Sequence, residues 1–147
     1  MKNNEKDSVL KFRNYIVDFV KYNTNSNFNN KDSEIKIDFD INREIRSIRE
    51  NKYAVSIILE VFPDSKTNNY PFSLELKITG FFELEIEDHD LLEQNAIAIL
   101  FPYARALVST YTANSNVEPL ILPPINVVAM LEEKENNNKA PLSTSDN

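Results

Sequence analysis

The sequence predicts an α+β fold in which a four-stranded antiparallel sheet is followed by helices packed on one face. Apolar residues alternate at the two-residue period of strands in the first part of the chain. The period changes to that of a helix near residue 90. Strands grouped before helices indicate an antiparallel sheet with the helices on one side.

The chain length predicts one domain. Its 147 residues are enough for one hydrophobic core. We assign residues 9–135 to this domain, residues 1–8 to a flexible N-terminus, and the polar residues 136–147 to a disordered tail.

The first two predicted strands differ in the clarity of their pattern. Residues 9–22 (VLKFRNYIVDFVKY) are rich in β-branched and aromatic residues at both odd and even positions. This favours a long strand with both faces partly covered and leaves a helix as the alternative. A polar loop at residues 23–33 follows, with Phe28 as its aromatic residue. Residues 34–41 (EIKIDFDI) alternate strictly and predict a half-buried strand, which residues 42–51 either extend or end in a turn.

The next two strands are the clearest. Residues 53–62 (YAVSIILEVF) place five apolar residues on one face, and Pro63 ends the run. Residues 71–87 (PFSLELKITGFFELEIE) alternate apolar and polar residues almost throughout. Gly80 falls on the apolar face, where a strand bends, bulges or closely approaches another element.

The helical part begins with Asp90 and Glu93, which resemble a capping box. An apolar stripe follows at helical spacing: Leu92, Ala96, Ile99, Tyr103 and Leu107. Because proline costs little in the first turn of a helix and much in its interior, Pro102 indicates either a kinked helix or two helices meeting at Phe101. Asn126 is predicted to cap a last helix.

The composition excludes several classes of function. A net charge of −7 disfavours binding to nucleic acid and to anionic membranes. The single glycine excludes glycine-rich phosphate loops, and the single histidine excludes a histidine-based metal cage. The absence of cysteine excludes disulfides and suits the cytoplasm. No uninterrupted apolar run is long enough to span a bilayer, so we expect no membrane insertion.

Two acidic clusters could carry chemistry. Asp88, His89 and Asp90 could hold a divalent ion in a metal-dependent enzyme, but neighbours at a strand-to-helix turn rarely converge on one ion. Acidic residues at a helix N-terminus, which the helix dipole favours, explain them more simply. The row Glu83, Glu85 and Glu87 is explained most simply by a solvated sheet face. An acidic docking surface is the next explanation, and a pair of catalytic carboxylates as in glycosidases is the last.

Two proline-broken apolar runs remain, at residues 100–111 (LFPYARALVSTY) and 119–131 (PLILPPINVVAML). The second run holds more apolar residues than one short helix and its lead-in loop can bury against a small sheet. The surplus predicts a subunit interface or a groove for apolar ligands, with core packing as the open alternative.

The pair LFPYAR (100–105) and LILPPIN (120–126) resembles the SecB family of bacterial export chaperones. ITGFFELEI (78–86) and EIKIDFDI (34–41) are similar to two strands of that family, and the resemblance extends from Leu10 to Leu131. It implies a cytoplasmic homotetramer, arranged as a dimer of dimers, without catalytic residues, cofactor or metal. Such a protein holds unfolded precursor polypeptides in an apolar groove without ATP and delivers them to the export motor SecA.

The resemblance also implies roles for particular residues. The client groove would be lined by Phe28, Leu120, Ile121, Leu122, Ile125, Val127, Val128 and Leu131. The oligomer interface would include Phe101, Tyr103 and Leu107, and SecA would dock at Ser73 and Glu75.

Some positions depart from the family pattern. Val127 stands where the family usually has an aromatic residue, and Ser73 where it has an apolar one. Phe19 and Asn23 occupy the positions of first-strand acids that help to dock SecA. Client binding therefore carries over better than SecA docking. The alternative is a SecB-like chaperone or adaptor dedicated to one client, such as an antitoxin.

Overall fold

The computed structural model describes residues 10–29, 36–63, 68–85, 88–115, 119–123 and 126–144. Four strands form one antiparallel sheet, and two helices follow them along the chain, as the α+β prediction requires. In chain order the elements are β1 (Lys11–Thr24), β2 (Phe39–Arg49), β3 (Lys52–Val61), β4 (Phe72–Glu83), α1 (His89–Ala113) and α2 (Val127–Thr144). The strand order across the sheet is β1-β4-β3-β2, so β1 and β2 are the edges.

The two central strands carry much of the core on the faces that the sequence predicts to be apolar. The five apolar residues that alternate along β3 are buried, and those on the same face of β4 are buried against them: Tyr53, Val55, Ile57, Leu59 and Val61 on β3, and Phe72, Leu74, Leu76, Ile78 and Phe82 on β4. The helices cover this face because it is the apolar one. Ile86 and Glu87, which the sequence assigned to the same strand, lie outside the described residues.

β1 is a strand, so the helical alternative for this segment is wrong. Its register against β4 shifts between Phe12 and Asn14 and again between Val17 and Phe19. Each shift changes which parity faces the helices, because side chains alternate with a period of two residues. This is why the apolar residues of β1 occupy both parities in the sequence.

β2 begins later than the sequence predicts, at Phe39, and residues 34 and 35 lie outside the described part. Residues 42–51 do both things that the sequence allowed. They extend β2 to Arg49, and the chain then turns into β3 through Asn51, whose φ is 65°. Asparagine tolerates this left-handed conformation better than most residues.

α1 is one helix with Pro102 inside it, so the two-helix alternative is wrong. Asp88, rather than Asp90, is its N-cap, because the Asp88 carboxylate accepts a hydrogen bond from the Leu91 N–H at 3.1 Å. The buried face of α1 partly departs from the predicted stripe and consists of Leu92, Ala96, Ile97, Leu100, Phe101, Ala104, Val108 and Thr112. Tyr103, from the predicted stripe, is exposed at the side of this face.

α1 is long and apolar enough, by length and composition, to cross a membrane. The sequence prediction considered only uninterrupted apolar runs and therefore missed that a helix with few charges meets this criterion. Eight of its side chains are buried in this domain.

α2 starts where Asn126 was predicted to cap it, since the Asn126 Oδ1 accepts from the Ala129 N–H at 3.0 Å. The helix continues to Thr144. Residues 136–144 are therefore helical, where the sequence predicted the start of a disordered tail. The polar composition of these residues predicts no packing, but it does not prevent a helix from propagating beyond a packed first half.

Gly80 lies where β4 passes beneath α1. A Cβ at this position would meet the Leu100 Cδ2 at 2.7 Å and the Phe82 Cε1 at 2.8 Å. We expect Gly80→Ala to destabilise the fold by ~1–3 kcal/mol, because neighbouring side chains must leave their rotamers. The midpoint of urea unfolding should fall, while the dependence of the unfolding free energy on urea concentration stays the same. Ser47→Ala, at an exposed position of β2, should leave the midpoint unchanged. An unchanged midpoint for Gly80→Ala would contradict the tight packing of this position against α1.

Candidate functional site

The segment at residues 119–123 is held along α1 by three side chains of that helix. The Arg105 Nε donates to the Leu122 carbonyl at 3.0 Å, and the Ser109 Oγ donates to the Leu120 carbonyl at 3.0 Å. The Leu120 N–H donates to the Thr112 Oγ1 at 2.8 Å. We call Arg105, Ser109 and Thr112 the polar clamp. The clamp fixes this segment without a helix or a sheet of its own.

Burial alternates along the clamped segment. Leu122 is 0% exposed, whereas Ile121 is 70% exposed, and Leu120 is half-buried. The alternation is typical of an extended chain with one face on a core. The segment therefore presents one large aliphatic side chain to solvent on a backbone that the clamp holds in place.

Three of the residues predicted to line the groove instead belong to the core. Leu122, Val127 and Leu131 are buried, because α2 places Val127 and Leu131 one helical turn apart on its inner side. They support the surface from within and do not face a ligand in this conformation. Their role in a client groove stays a prediction.

The other predicted groove residues are spread over the structure. Leu120 packs against the core. Phe28 is half-buried in the turn after β1, where its N–H donates to the Asn25 carbonyl at 3.1 Å. Val128 lies in the first turn of α2, and Ile125 lies outside the described residues. Ile121 is thus the predicted groove residue that the structure exposes most clearly.

A lysine of α2 attaches this helix to the edge strand β2. The Lys134 ammonium donates to both oxygens of the Asp40 carboxylate at 2.9 and 3.0 Å and to the Asn42 Oδ1 at 2.9 Å. Because the Lys134 side chain is 34% exposed, the ion pair contributes little on its own. Its several acceptors instead fix where α2 crosses β2.

A second polar contact joins α2, α1 and β2. The Arg43 guanidinium donates to Glu93 of α1 and, at 2.8 Å, to the Glu135 Oε2 of α2. A pocket of about 120 Å³ lies beside it, and its lining includes Asp90 and Glu132. The pocket is too small and too acidic for an apolar chain.

The residues of the possible metal site instead start α1. Asp88 caps the helix, Asp90 is exposed in its first turn, and the His89 ring lies 6.3 Å from the Tyr53 ring, edge to face. Within the described ranges, no group of three or more histidine and acidic side chains is arranged to hold a metal ion. The structure thus favours the helix-dipole explanation of this cluster.

Glu83 joins three strands. Its Oε2 accepts from the Arg13 Nε at 2.7 Å and from the Lys52 Nζ at 3.0 Å. The hydrogen bond from Arg13, followed by that from Lys52, lowers the pKa of Glu83 to about 2. Glu85 is exposed beyond the end of β4, and Glu87 lies outside the described residues. The acidic row is therefore partly a structural ion-pair network.

We expect Glu83→Gln to change the pH dependence of stability. The pKa of Glu83 is lowered from 4.5 to about 2, so its contribution is present above pH 4.5 and is lost as the pH falls toward 2. The melting temperature of the variant should lie below that of the wild type at neutral pH, and the difference should vanish on acidification. Glu85→Gln, at an exposed carboxylate, is the control. A difference that stayed constant down to pH 2 would contradict the assignment.

The predicted SecA-docking residues lie on the sheet face that points away from the helices. Ser73 pairs with Asn23 in the register, and Glu75 pairs with Lys21, whose Nζ lies 3.9 Å from the Glu75 Oε1. Lys77 lies further along the same face. The face therefore carries both signs of charge and is not an acidic patch.

A second apolar surface is formed by the edge strand β1 and one side of α1. Val17 and Tyr103 are 43% and 38% exposed, and the Tyr103 ring lies 4.5 Å from that of Tyr15 and 6.1 Å from that of Phe12. We call Phe12, Tyr15, Val17, Tyr103 and Leu107 the β1–α1 surface. The sequence predicts Tyr103 and Leu107 for an oligomer interface. The register shifts of β1 hide from the sequence that Phe12, Tyr15 and Val17 lie on the same face as these two residues.

Phe101, the third residue predicted for the oligomer interface, is only 4% exposed. Pro102 does not break the helix, so helical spacing turns Phe101 toward the sheet with Leu100 and Ala104. Phe101 therefore packs in the core of its own chain, and its place in an oligomer interface stays a prediction.

The fold and these surfaces define an α+β domain that presents apolar side chains at its surface. The family profile described as preprotein translocase subunit SecB matches residues 3–138. An uncharacterised protein of Methanocaldococcus jannaschii is 40% identical over 139 residues, covering 88% of this chain and 89% of that protein. The protein-export protein SecB of Rickettsia akari is 31% identical over 109 residues, which are 70% of each chain.

The chain belongs to the SecB family. A solved structure of a SecB-like chaperone from Mycobacterium tuberculosis, in complex with a ChAD peptide from the HigA1 antitoxin, shares the fold with a TM-score of 0.61 at 13% identity. That comparison covers 84% of this chain and 95% of the mycobacterial one. Family membership supports a chaperone role.

Proposed function

We propose that this protein is an ATP-independent holdase chaperone that binds unfolded polypeptides at the apolar surface around residues 119–123. The observation that carries the proposal is the 70% exposed Ile121 on a clamped backbone segment, in a chain of the SecB family. An exposed aliphatic side chain on a fixed backbone can contact many unfolded chains without reading their sequence. The net charge of −7 favours basic clients.

Self-association would complete this function. The β1–α1 surface offers an unpaired strand edge and a cluster of half-exposed aromatic rings, which a second copy could cover. We propose that copies of the chain associate through this surface, and that the assembly is a cytoplasmic homotetramer built as a dimer of dimers.

The chaperone role has two possible forms: a first form that delivers its clients to SecA, and a second form that serves one client. The mixed charge around Glu75, together with Phe19 and Asn23 on β1, favours the second form, a chaperone dedicated to one client without SecA docking. The mycobacterial structural neighbour binds a peptide from an antitoxin, which is an example of that kind of client. The two forms share the same holding step and differ only in the next partner.

Aggregation of a chemically unfolded test protein measures the holding step directly. Stoichiometric amounts of this protein, without ATP, should suppress light scattering as the test protein is diluted from denaturant. Suppression would leave SecA binding as the next question. A folded oligomer that failed to suppress aggregation would contradict general holding and would point to a dedicated client or to an adaptor.

Glu75→Lys separates the two forms. If SecA docks on the outer sheet face, reversing this charge should weaken SecA binding by roughly tenfold, or ~1.4 kcal/mol, without changing aggregation suppression. Glu85→Lys makes the same charge change beyond the end of β4 and should have no effect. Undiminished SecA binding by Glu75→Lys would remove Glu75 from the docking site, and no binding by the wild type would favour the dedicated form.

A further inference from the structure

The outer face of the sheet, which points away from the helices, carries a surplus of cations at one end. The cross-strand register forms one row across all four strands from Lys11, Glu83, Lys52 and Arg49. Phe82, the neighbour of Glu83 in the chain, is buried in the core, so this row faces outward. We call the five cations of this region the basic end: Lys11, Arg13, Arg46, Arg49 and Lys52.

The next row along the same face adds apolar side chains to the basic end. Arg46 is the cross-strand partner of Ala54, and Ala54 is the partner of the half-buried Phe81 on β4. Ile48, which is 48% exposed, lies between Arg46 and Arg49 in the chain. The basic end therefore combines cationic and apolar groups over about 14 Å, the width of three strand spacings.

The positive charge of the basic end exceeds the negative charge around it. Arg13 and Lys52 both donate to the single carboxylate of Glu83. For the other three cations, no ion pair links them to any residue that the structure describes. Glu50 in the β2–β3 turn and Glu85 just after β4 are the other neighbouring acids, and both are exposed. Five cations thus stand against three acids in a chain whose net charge is −7.

The basic end also contains a like-charge pair. Arg49 and Lys52 are direct cross-strand partners, an arrangement that destabilises a sheet. At the opposite end of the same face, Glu75 instead has the oppositely charged Lys21 as its partner. An anion bound at the basic end would relieve the repulsion there, because it would attract both cations.

We propose that the basic end is a docking surface for an acidic segment of a partner protein, in which several carboxylates surround an apolar residue. The carboxylates would accept hydrogen bonds from the guanidinium groups of Arg46 and Arg49, which match a carboxylate with two parallel donors. The apolar residue would pack against Phe81 and Ile48. Charge complementarity of this kind selects a partner and speeds its association.

A short acidic segment fits this surface better than a nucleic acid does. A long polyanion would extend beyond the basic end and be repelled by the rest of a chain of net charge −7. A segment of a few residues would meet only the cations. The surface lies on the side of the sheet away from α1 and residues 119–123, so the proposal does not depend on the holding of unfolded clients.

Fluorescence anisotropy of a rhodamine-labelled, end-capped peptide Glu-Ser-Glu-Ser-Phe-Ser-Glu tests the proposal with the full chain. In an extended conformation, the three glutamates and the phenylalanine of this peptide share one side. We expect saturable binding with a dissociation constant on the order of 10–100 μM at low ionic strength. The affinity should fall as salt is added, because exposed charges are screened. The analogue with lysine in place of each glutamate should not bind.

Charge reversal on β2 tests the location of the site. The double variant Arg46→Glu with Arg49→Glu should raise the dissociation constant of the peptide at least about tenfold. The double variant Lys21→Glu with Lys36→Glu makes the same change in net charge at exposed positions away from the basic end. This control should bind like the wild type. Equal weakening in both double variants would reduce the effect to net charge and would overturn the proposal.

Two single variants separate docking from folding. Arg49→Glu should weaken binding but raise the melting temperature, because it gives Lys52 an oppositely charged partner. Glu83→Gln should lower the melting temperature at neutral pH but strengthen binding about threefold, because Arg13 and Lys52 lose their internal carboxylate. Affinity that instead followed stability in both variants would show that the basic end acts only within the fold, and would overturn the proposal.

The remaining outcomes concern the class of partner. No binding of the peptide by the wild type would overturn the docking surface. Tighter binding of a seven-nucleotide oligothymidine than of the peptide, lost in the Arg46→Glu and Arg49→Glu double variant, would assign the basic end to a nucleic acid and would overturn the acidic protein segment. The suppression of aggregation is measured separately and should be the same in all these variants.

Discussion

Leu122→Asp is expected to destabilise the fold, whereas Ile121→Asp is expected to impair client binding without unfolding the protein, although the two residues are neighbours. Leu122→Asp should destabilise the fold by at least ~4 kcal/mol, because it puts an unpaired charge into a site that is 0% exposed and removes a packed side chain. Ile121 is 70% exposed, so Ile121→Asp should leave the urea midpoint within the range of ordinary surface substitutions.

Ile121→Asp should impair client binding in a protein that remains folded. A charge in place of the exposed aliphatic side chain should remove the apolar contact with an unfolded client, and aggregation suppression by the folded variant should be largely lost. Urea unfolding and light scattering of both variants measure the two effects separately. Leu122→Met is the matched control, since a swap of similar volume usually costs less than ~1.5 kcal/mol.

The pair of variants can contradict the assignment in two ways. A stable Leu122→Asp protein would mean that the clamped segment leaves the core in solution. Full suppression by Ile121→Asp would mean that clients bind elsewhere, for example on the β1–α1 surface.

Sequence periodicity predicted the core of the fold well where one face of a strand is buried throughout. β3 and β4 lie in the middle of the sheet, and their alternation maps directly onto burial. β1 was harder, because two register shifts exchange its faces along 14 residues. A bulge is set by the partner strand and leaves no clear signal in a single sequence.

The candidate site shows a different limit. The apolar surplus at residues 119–131 was visible in the sequence, but which residues face inward was not. Leu120, Ile121 and Leu122 have nearly equal hydrophobicity, and their burial is decided by Arg105, Ser109 and Thr112 bonding the backbone from a helix 8 to 17 positions away. Polar side chains that bond a distant backbone have no period, so composition and spacing could not predict the alternation.

Val17→Glu should convert the proposed assembly into monomers. Val17 is 43% exposed on the free edge of β1, beside the Tyr15 and Tyr103 rings, and a charge buried there in a subunit interface costs several kcal/mol. We expect the dissociation constant to rise at least about a hundredfold, or ~2.7 kcal/mol, and sedimentation to report the 17.0 kDa chain.

The opposite edge of the sheet supplies the matched control. Ile48 is 48% exposed near the end of β2, so Ile48→Glu makes nearly the same change in charge and exposure at the other edge. If both edges mediated association, both variants would dissociate. If only β1 mediates association, Ile48→Glu should sediment like the wild type, because β2 is already occupied along part of its length by the Lys134 contacts of α2.

An assembly that survives Val17→Glu and Tyr103→Glu would exclude the β1–α1 surface. The aromatic cluster there would then be free for clients, and the holding surface would extend from Ile121 to a second site.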